Sequence, residues 1–461
     1  MVPAMARRRP ALRLRAPPVL PHDRWPRPAG FSVRGGDEDS RLAVVRRDRH
    51  DAWRFYPMIA NTDLPRCWLR NPVRYTVSPS RSEITMRAQY RSAFLVTLAI
   101  LAVAACDDRT PPPAEAVALG DEANTHEAHR QVVEELPHWS FSPEMIFPTD
   151  RSLLRPEDGV VLPDGRLIVA DQAYGLRLVR ADGSHRPFGR FAGAGYTHEP
   201  PLAAGGANGV TLEPTGTHIL VTDIHHGGIY RVDVGSEVTE LLYQHGAGVN
   251  MARRDSRGGT WFTQSTRNTP ESGEAGLWAA LETPTPDGAV YYLPPARAGE
   301  TSAAVRVADG LYFANGIALD EGAGHLYVAE TMAGAVLRFR MDVEGGRLSD
   351  RTVALELPGP DNLEFDPPSR LWVAGVVRSE ILVLDLGSGT AQSVFRVVTP
   401  RSEEVVRGVE RRMEAGESFL DLFGPDLWEP APGALTGMIL SPGGGPVYIT
   451  SLGNALIRLA R

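Results

Sequence analysis

FANGIALDEGAGHLYVAE, residues 313–330, is the stretch whose reading decides the fold. Ile317, Leu319, Leu326 and Val328 alternate with small or polar residues, which is the period of strands with one buried face. Asn315-Gly316 is a dipeptide that usually makes the tight turn of a hairpin. In this chain it stands before the first of the two strands, so a polar side chain sits at the mouth of a buried element.

The same phrase returns six times: a polar residue, a small residue, an alternating apolar run, a turn, and two further short strands. The copies begin at Asp158 (DGVVLPDGRLIVAD), Asn208 (NGVTLEPTGTHILVTD), Val249 (VNMARRDSRGGTWFTQST), Asn315, Asp361 (DNLEFDPPSRLWVAG) and Thr436 (TGMILSPGGGPVYITS). Their spacing, roughly 40 to 75 residues, is that of propeller blades. With 46 Gly and 38 Pro punctuating period-2 runs, the chain predicts an all-β fold. The expected architecture is a six-bladed β-propeller with a central channel over residues 138–461, in which radial packing leaves only short sheet edges. The segment 138–147 is expected to close the ring. The Arg/Glu-rich segment Ser402–Leu422 is expected to be a short helical insertion between blades 5 and 6.

In a propeller the first strand of each blade lines the channel. The residues heading those strands, Glu157-Asp158, Asn208, Asn250, Asn315, Asp361-Asn362 and Thr436, are therefore expected to converge on the axis. Asn and Asp also tolerate turn geometry, which would place them there without any function. Taken as a ring, three carboxylates and several carboxamides without His or Cys form a hard oxygen cage. Such a cage suits Ca²⁺ or another divalent cation rather than zinc.

Composition excludes several chemistries. The chain has no lysine, so all 48 basic residues are Arg, and a Schiff-base lysine and a phosphate-loop lysine are both absent. Neither Cys67 nor Cys106 lies in a CxxC, and there is no HExxH or GxSxG motif. A quinone-dependent redox propeller finds no cofactor motif.

From Met86 the chain reads MRAQYRSAFLVTLAILAVAACDD: a basic start, an apolar run too short to span a bilayer comfortably, and then Val103-Ala104-Ala105-Cys106. The last four resemble the lipobox of bacterial lipoproteins. Residues 86–105 are thus expected to be a signal peptide and Cys106 the lipidated residue, followed by a Pro/Ala/Glu-rich tether over 106–137. Residues 1–85, rich in Arg and Pro, are expected to be an extension upstream of the true start at Met86. The resulting location is the bacterial cell envelope, on the periplasmic face, with the inner membrane suggested by Asp107 and Asp108. The first 105 residues hold 19 Arg against 8 acidic residues, so the remainder of a chain of net charge -8 is strongly acidic and no nucleic-acid partner is expected.

Three pieces carry a resemblance to a known superfamily: LYFANGI (311–317), PED followed by VLPDG (156–158 and 161–165), and PDN (360–362). They resemble the senescence marker protein/gluconolactonase group, with strictosidine-synthase-like proteins and paraoxonases as relatives, over residues 140–461. The resemblance implies a calcium ion at the channel centre held by Glu157, Asn250, Asn315 and Asp361, with Asn362 added in the paraoxonase branch. In that branch a second calcium uses an Asp after the third-blade Asn; this chain has Met251 there. The paraoxonase histidine pair is matched in part, by Asn208 at the first position and by His225-His226 at the second. Strictosidine synthase uses a carboxylate in its last blade, whereas residues 434–461 contain no Asp or Glu.

The implied activity is hydrolysis of a small-molecule lactone or ester. Asp361 would act as general base or nucleophile, His225 or His226 as a proton shuttle, and Asn208 as a substrate contact. Trp261, Phe262, Trp278 and Trp372 are candidates for an apolar pocket wall, and loops 266–285 and 191–207 for specificity. The alternative is a non-catalytic, lipid-tethered propeller acting as a binding or scaffold module.

Overall fold

The computed structural model of the chain describes residues 136–194, 206–295 and 302–460. The expected extension, signal peptide, Cys106 and most of the tether lie outside the described residues, as does 195–205 of one expected specificity loop.

The described residues form six antiparallel sheets arranged as the blades of a six-bladed β-propeller. Their innermost strands are Pro156–Val161, Ala207–Leu212, Ala252–Arg254, Ala314–Asp320, Pro360–Asp366 and Leu435–Leu440. Each contacts the next around the ring, and the sixth contacts the first. The circle closes through Ile146–Phe147, which pairs antiparallel with Leu456–Leu459 and supplies the outer strand of blade 6. Trp139–Ser140, within the same expected segment, adds instead a parallel fifth strand to blade 5.

The alternation of the strands explains the core. Apolar residues on both faces of each blade meet those of its neighbours, giving one cluster per interface. Ile168, Val210 and Ile219 lie between blades 1 and 2, Leu220 and Phe262 between 2 and 3, and Trp261, Ile317 and Leu326 between 3 and 4. Tyr327, Leu363 and Leu371 lie between 4 and 5, Trp372, Phe395 and Ile449 between 5 and 6, and Val169, Ile439 and Leu456 between 6 and 1. Each fully buried large side chain stabilises the fold by about 1.5–3 kcal/mol. Trp261, Phe262 and Trp372 are completely buried in these interfaces and do not line a pocket.

Two helical pieces stand outside the blades. The insertion between blades 5 and 6 is larger than one short helix: α2 (Pro400–Ala415), a 3-10 turn (Leu420–Leu422), and a third helix introduced below. Helix α2 begins on a reciprocal cap between Thr399 and Ser402 with Pro400 in its first turn, and ends on Gly416 at φ 67°. The second piece, Gly273–Glu282, lies in blade 3 within the expected loop 266–285. Gly273 and Gly276 weaken its helical signal, which is why periodicity does not announce it. In chain order this helix is α1, the insertion helix Pro400–Ala415 is α2, and Pro425–Trp428 is α3.

Candidate active site at the propeller axis

In five of the six blades a polar residue that heads the innermost strand sits on a β-bulge. Opposite a regular partner strand, the register skips at Glu157 in blade 1, at Asn208-Gly209 in blade 2 and at Asn315-Gly316 in blade 4. It skips again at Asp361-Asn362 in blade 5 and at Thr436 in blade 6. A bulge bends its strand and re-aims the extra side chain, and Glu157, Asn208, Asn315, Asp361 and Thr436 all line the axial cavity. In Asn-Gly the glycine serves close approach rather than a turn. A Cβ on Gly209 would meet Asn250 O at 2.9 Å, and one on Gly316 would meet Asp361 O at 2.6 Å. Each blade can therefore lie against the backbone of the next at the level of the ring.

The ring residues are buried and hold one another through their amide donors. Gln172 Nε2 donates to Asn208 Oδ1 at 2.7 Å, and Asn208 Nδ2 donates to the Asn250 side-chain and main-chain oxygens at 3.3 and 3.2 Å. Asn250 Nδ2 donates to Ser265 Oγ at 3.0 Å, Asn315 Nδ2 to Thr331 Oγ1 at 3.1 Å, and Asn362 Nδ2 to Glu157 O at 3.4 Å. Thr436 Oγ1 also donates to Glu157 O, at 3.0 Å. With the donors turned sideways, Glu157 Oε2, Asn315 Oδ1, Asp361 Oδ1 and Asn362 Oδ1 are buried acceptors without a hydrogen-bond partner. Native interiors rarely leave such atoms unsatisfied.

The electrostatics point the same way. Burial, then the charge of Asp361, raises the Glu157 carboxyl well above its ordinary range. Burial, then Asp158, pushes Asp361 up to about 8 against a hydrogen bond from Asn315. Arg155 offsets only part of the rise at Glu157, and no cation is among the causes acting on Asp361. An all-oxygen donor set with two carboxylates fits a hard divalent cation. Among the described residues no three His, Cys, Asp or Glu side chains gather into a metal-holding group, so carboxamides must supply the other oxygens.

The third expected carboxylate is not part of this set. Asp158 turns to the next blade, where Oδ2 accepts from Val210 N at 2.7 Å; burial raises it to about 7. Its charge faces Arg253, which plugs the channel beyond the ring. Arg253 donates to Ile317 O at 2.6 Å and Leu363 O at 2.9 Å, and pairs with Glu364.

On the other side the ring opens into a cavity of about 130 Å³. Glu157, Asn208, Asn250, Asn315, Asp361 and Thr436 form its floor; Asn362 sits behind the floor, against Glu157 O. The walls come from Leu277, Trp278 and Leu281 of α1, from Phe313 and Met332, and from Phe419, Leu420 and Phe423 of the insertion. Arg155 Nη1 pairs with Glu274 Oε1 at 2.9 Å across this wall, and Trp278 Nε1 donates to the same carboxylate at 3.2 Å. Burial alone would raise Glu274, but Arg155, these hydrogen bonds and His225 outweigh it and hold the carboxyl below its ordinary range.

The structure separates the two candidate histidines. His225 is buried in the cavity wall. His226 turns outward, 52% exposed, with Nδ1 3.0 Å from Asp223 Oδ2, so it cannot reach the floor. Of the expected pocket aromatics Trp278 alone lines the cavity. The described part of loop 191–207 packs elsewhere, Phe191 lying edge-on to Tyr230.

Arg155, Glu274, Phe313 and the 419–423 segment are cavity residues that the repeat pattern does not single out. Two of them share a backbone feature that only the structure shows. In four blades the residue two places before the ring residue is left-handed: Arg155 (φ 62°), Gly206 (72°), Phe313 (61°) and Gly359 (61°).

Parts of the chain are similar to known proteins. Residues 236–403 match the family model of the SMP-30/Gluconolactonase/LRE-like region. An uncharacterized protein of Sulfolobus acidocaldarius is 27% identical over 107 residues, 22% of this chain and 39% of that protein's length. Among solved structures, a gluconolactonase of Xanthomonas campestris is similar at 18% identity and TM-score 0.44, covering 66% of this chain and 85% of its own. A calcium-binding protein, regucalcin, of Agrobacterium tumefaciens is similar at 13% identity and TM-score 0.47, covering 70% and 95%. The family-model match runs from the outer edge of blade 2 to the start of α2 and is a similarity of that part of the chain.

Proposed function

We propose that the axial cavity is the active site of a divalent-cation-dependent hydrolase acting on a small-molecule lactone or ester. One observation carries this: four buried oxygens from three blades are left without partners, Glu157 Oε2, Asn315 Oδ1 and Asp361 Oδ1 of residues on the floor of an apolar cavity and Asn362 Oδ1 of the residue behind it. The family name of residues 236–403 supports lactone chemistry.

Glu157, Asn315, Asp361 and Asn362 would hold the cation, with Asn250 beside them, and Ca²⁺ is the ion the donor set suits best. When bound, the cation supplies positive charge that polarises a carbonyl oxygen and favours negative charge on it. The chain's residues do the rest. Asp361 lines the floor and would accept a proton from water. His225, in the wall above, is placed to carry that proton to the departing alkoxide oxygen. Asn208 lines the floor with its amide already fixed between Gln172 and Asn250, so it presents a preset polar contact. The apolar walls exclude bulk water, which strengthens every charge interaction at the floor.

The test is a chelator-stripped protein assayed for lactone and ester hydrolysis and for thermal stability, before and after titration with Ca²⁺ and Mg²⁺. Activity and a melting rise that both follow the cation support the proposal. A flat melt with no hydrolysis removes it. An exported lipoprotein anchored through Cys106 remains part of the proposal, tested by metabolic labelling with palmitate and its loss in Cys106→Ala.

A further inference from the structure

A left-handed backbone position is the ordinary place for glycine, because a Cβ there crowds the following carbonyl. Blades 2 and 5 follow that rule two residues before the ring, with Gly206 and Gly359. Blades 1 and 4 keep the same backbone but carry Arg155 and Phe313, at φ 62° and 61°. A bulky residue persists in such a conformation where its surroundings hold it. The sister blades show that the fold can be built with glycine there. What the two side chains add is their position: both project over the ring into the cavity.

Phe313 is buried against Ile224, Leu277 and Ala280, so α1 holds its ring in the wall. Leu281, Leu420 and Phe423 continue that apolar surface. The polar groups above the floor are already engaged with each other, Arg155 with Glu274 and Trp278 Nε1 with Glu274. A ligand rich in hydroxyls would leave several of them buried without partners, and each such group lowers affinity strongly.

We propose that Phe313, with the facing wall of α1 and the 419–423 segment, selects a lactone or ester bearing a compact apolar substituent over a polyhydroxylated sugar lactone. This rests on the hydrolase function proposed above. In the reaction the oxygen of water bonds to the acyl carbon, the bond from that carbon to the ring or ester oxygen breaks, and the proton from water ends on that oxygen. The product is a hydroxy acid, or an acid and an alcohol, with no other reactant.

The experiment compares kcat/KM for δ-valerolactone, its 5-alkyl derivatives and gluconolactone, on the cation-loaded protein. Calorimetric Kd values for the matching unreactive lactams are measured alongside. Each methylene that reaches the wall should improve both quantities about fourfold, and gluconolactone should be at least about a hundredfold poorer than the best alkyl lactone. Phe313→Asn keeps a residue that tolerates the left-handed backbone and should erase most of the alkyl preference. Leu420→Asn, on a separate half-exposed element, should reduce it as well, so that misfolding of one variant does not decide the result. Equal or better turnover and binding of the sugar compounds overturns the apolar selection while leaving the hydrolase intact. Binding of alkyl lactams without turnover of any lactone or ester overturns the hydrolase, and the substrate selection falls with it.

Discussion

Glu157 in blade 1 and Asp361 in blade 5 each turn one unpartnered carboxylate oxygen to the axis, and the charge of Asp361 raises the proton affinity of Glu157. Two carboxyls so placed bind protons more tightly in the folded chain than in the unfolded one. Below their ordinary pKa both states are protonated and the pair is neutral to stability. As pH rises from there to about 8, the value for Asp361, the unfolded chain gives up protons that the folded chain retains, and stability falls.

The cation-free protein should therefore melt at progressively lower temperature between about pH 5 and pH 8. Adding Ca²⁺ should reverse the trend, since a cation favours the ionised pair. At a hundredfold excess over Kd the gain is about 2.7 kcal/mol, or about 4 °C for a domain of this size. Melts at several pH values with chelator and with Ca²⁺ check both signs. Cation affinity should weaken as pH falls, because binding displaces protons.

Asp361→Ala should abolish both the cation-dependent melting rise and turnover. Asp361→Asn keeps the shape and removes the charge, so its cation-free form should be at least as stable as the parent at pH 8. Asn315→Ala should also lose the melting rise. Turnover that survives Asp361→Ala rules out the proposed chemistry.

His225→Gln should lower kcat by about a hundredfold or more with the cation-dependent melt unchanged. His226→Gln should leave kcat near the parent value, because His226 faces Asp223 and solvent rather than the cavity. Steady-state kinetics of the pair, beside their melts, separate a proton-transfer role from a structural one.

Arg253→Met should destabilise the protein by about 3 kcal/mol, since it leaves Glu364 and two buried carbonyl oxygens without their donor. Denaturant midpoints measure this. Arg253 lies beyond the ring from the cavity, so the cation response should persist in the folded fraction.

The repeat phrase was enough to read the blades because strand period, turn residues and spacing are local properties of the chain. Its polar heads were legible for the same reason, as Asn208, Asn250, Asn315 and Asp361 all recur at one place in the phrase. Side-chain direction was not. Asp158 and Glu157 are neighbours in sequence, yet the bulge sends one to Val210 N and leaves the other at the axis. His225 and His226 divide in the same way, one to the cavity and one to Asp223.

The sequence by itself thus determined the fold class, the blade count and the composition of an oxygen-rich axis. These follow from patterns that recur within a few dozen residues. Tertiary structure alone decided which oxygens are stranded without donors, and which side chains roof the ring. Arg155 meets Glu274 across 119 residues, and Phe313 lines one wall with segment 419–423 more than a hundred residues on. Such contacts depend on how the blades close into a circle and where the two insertions settle upon it, and no local periodicity encodes that.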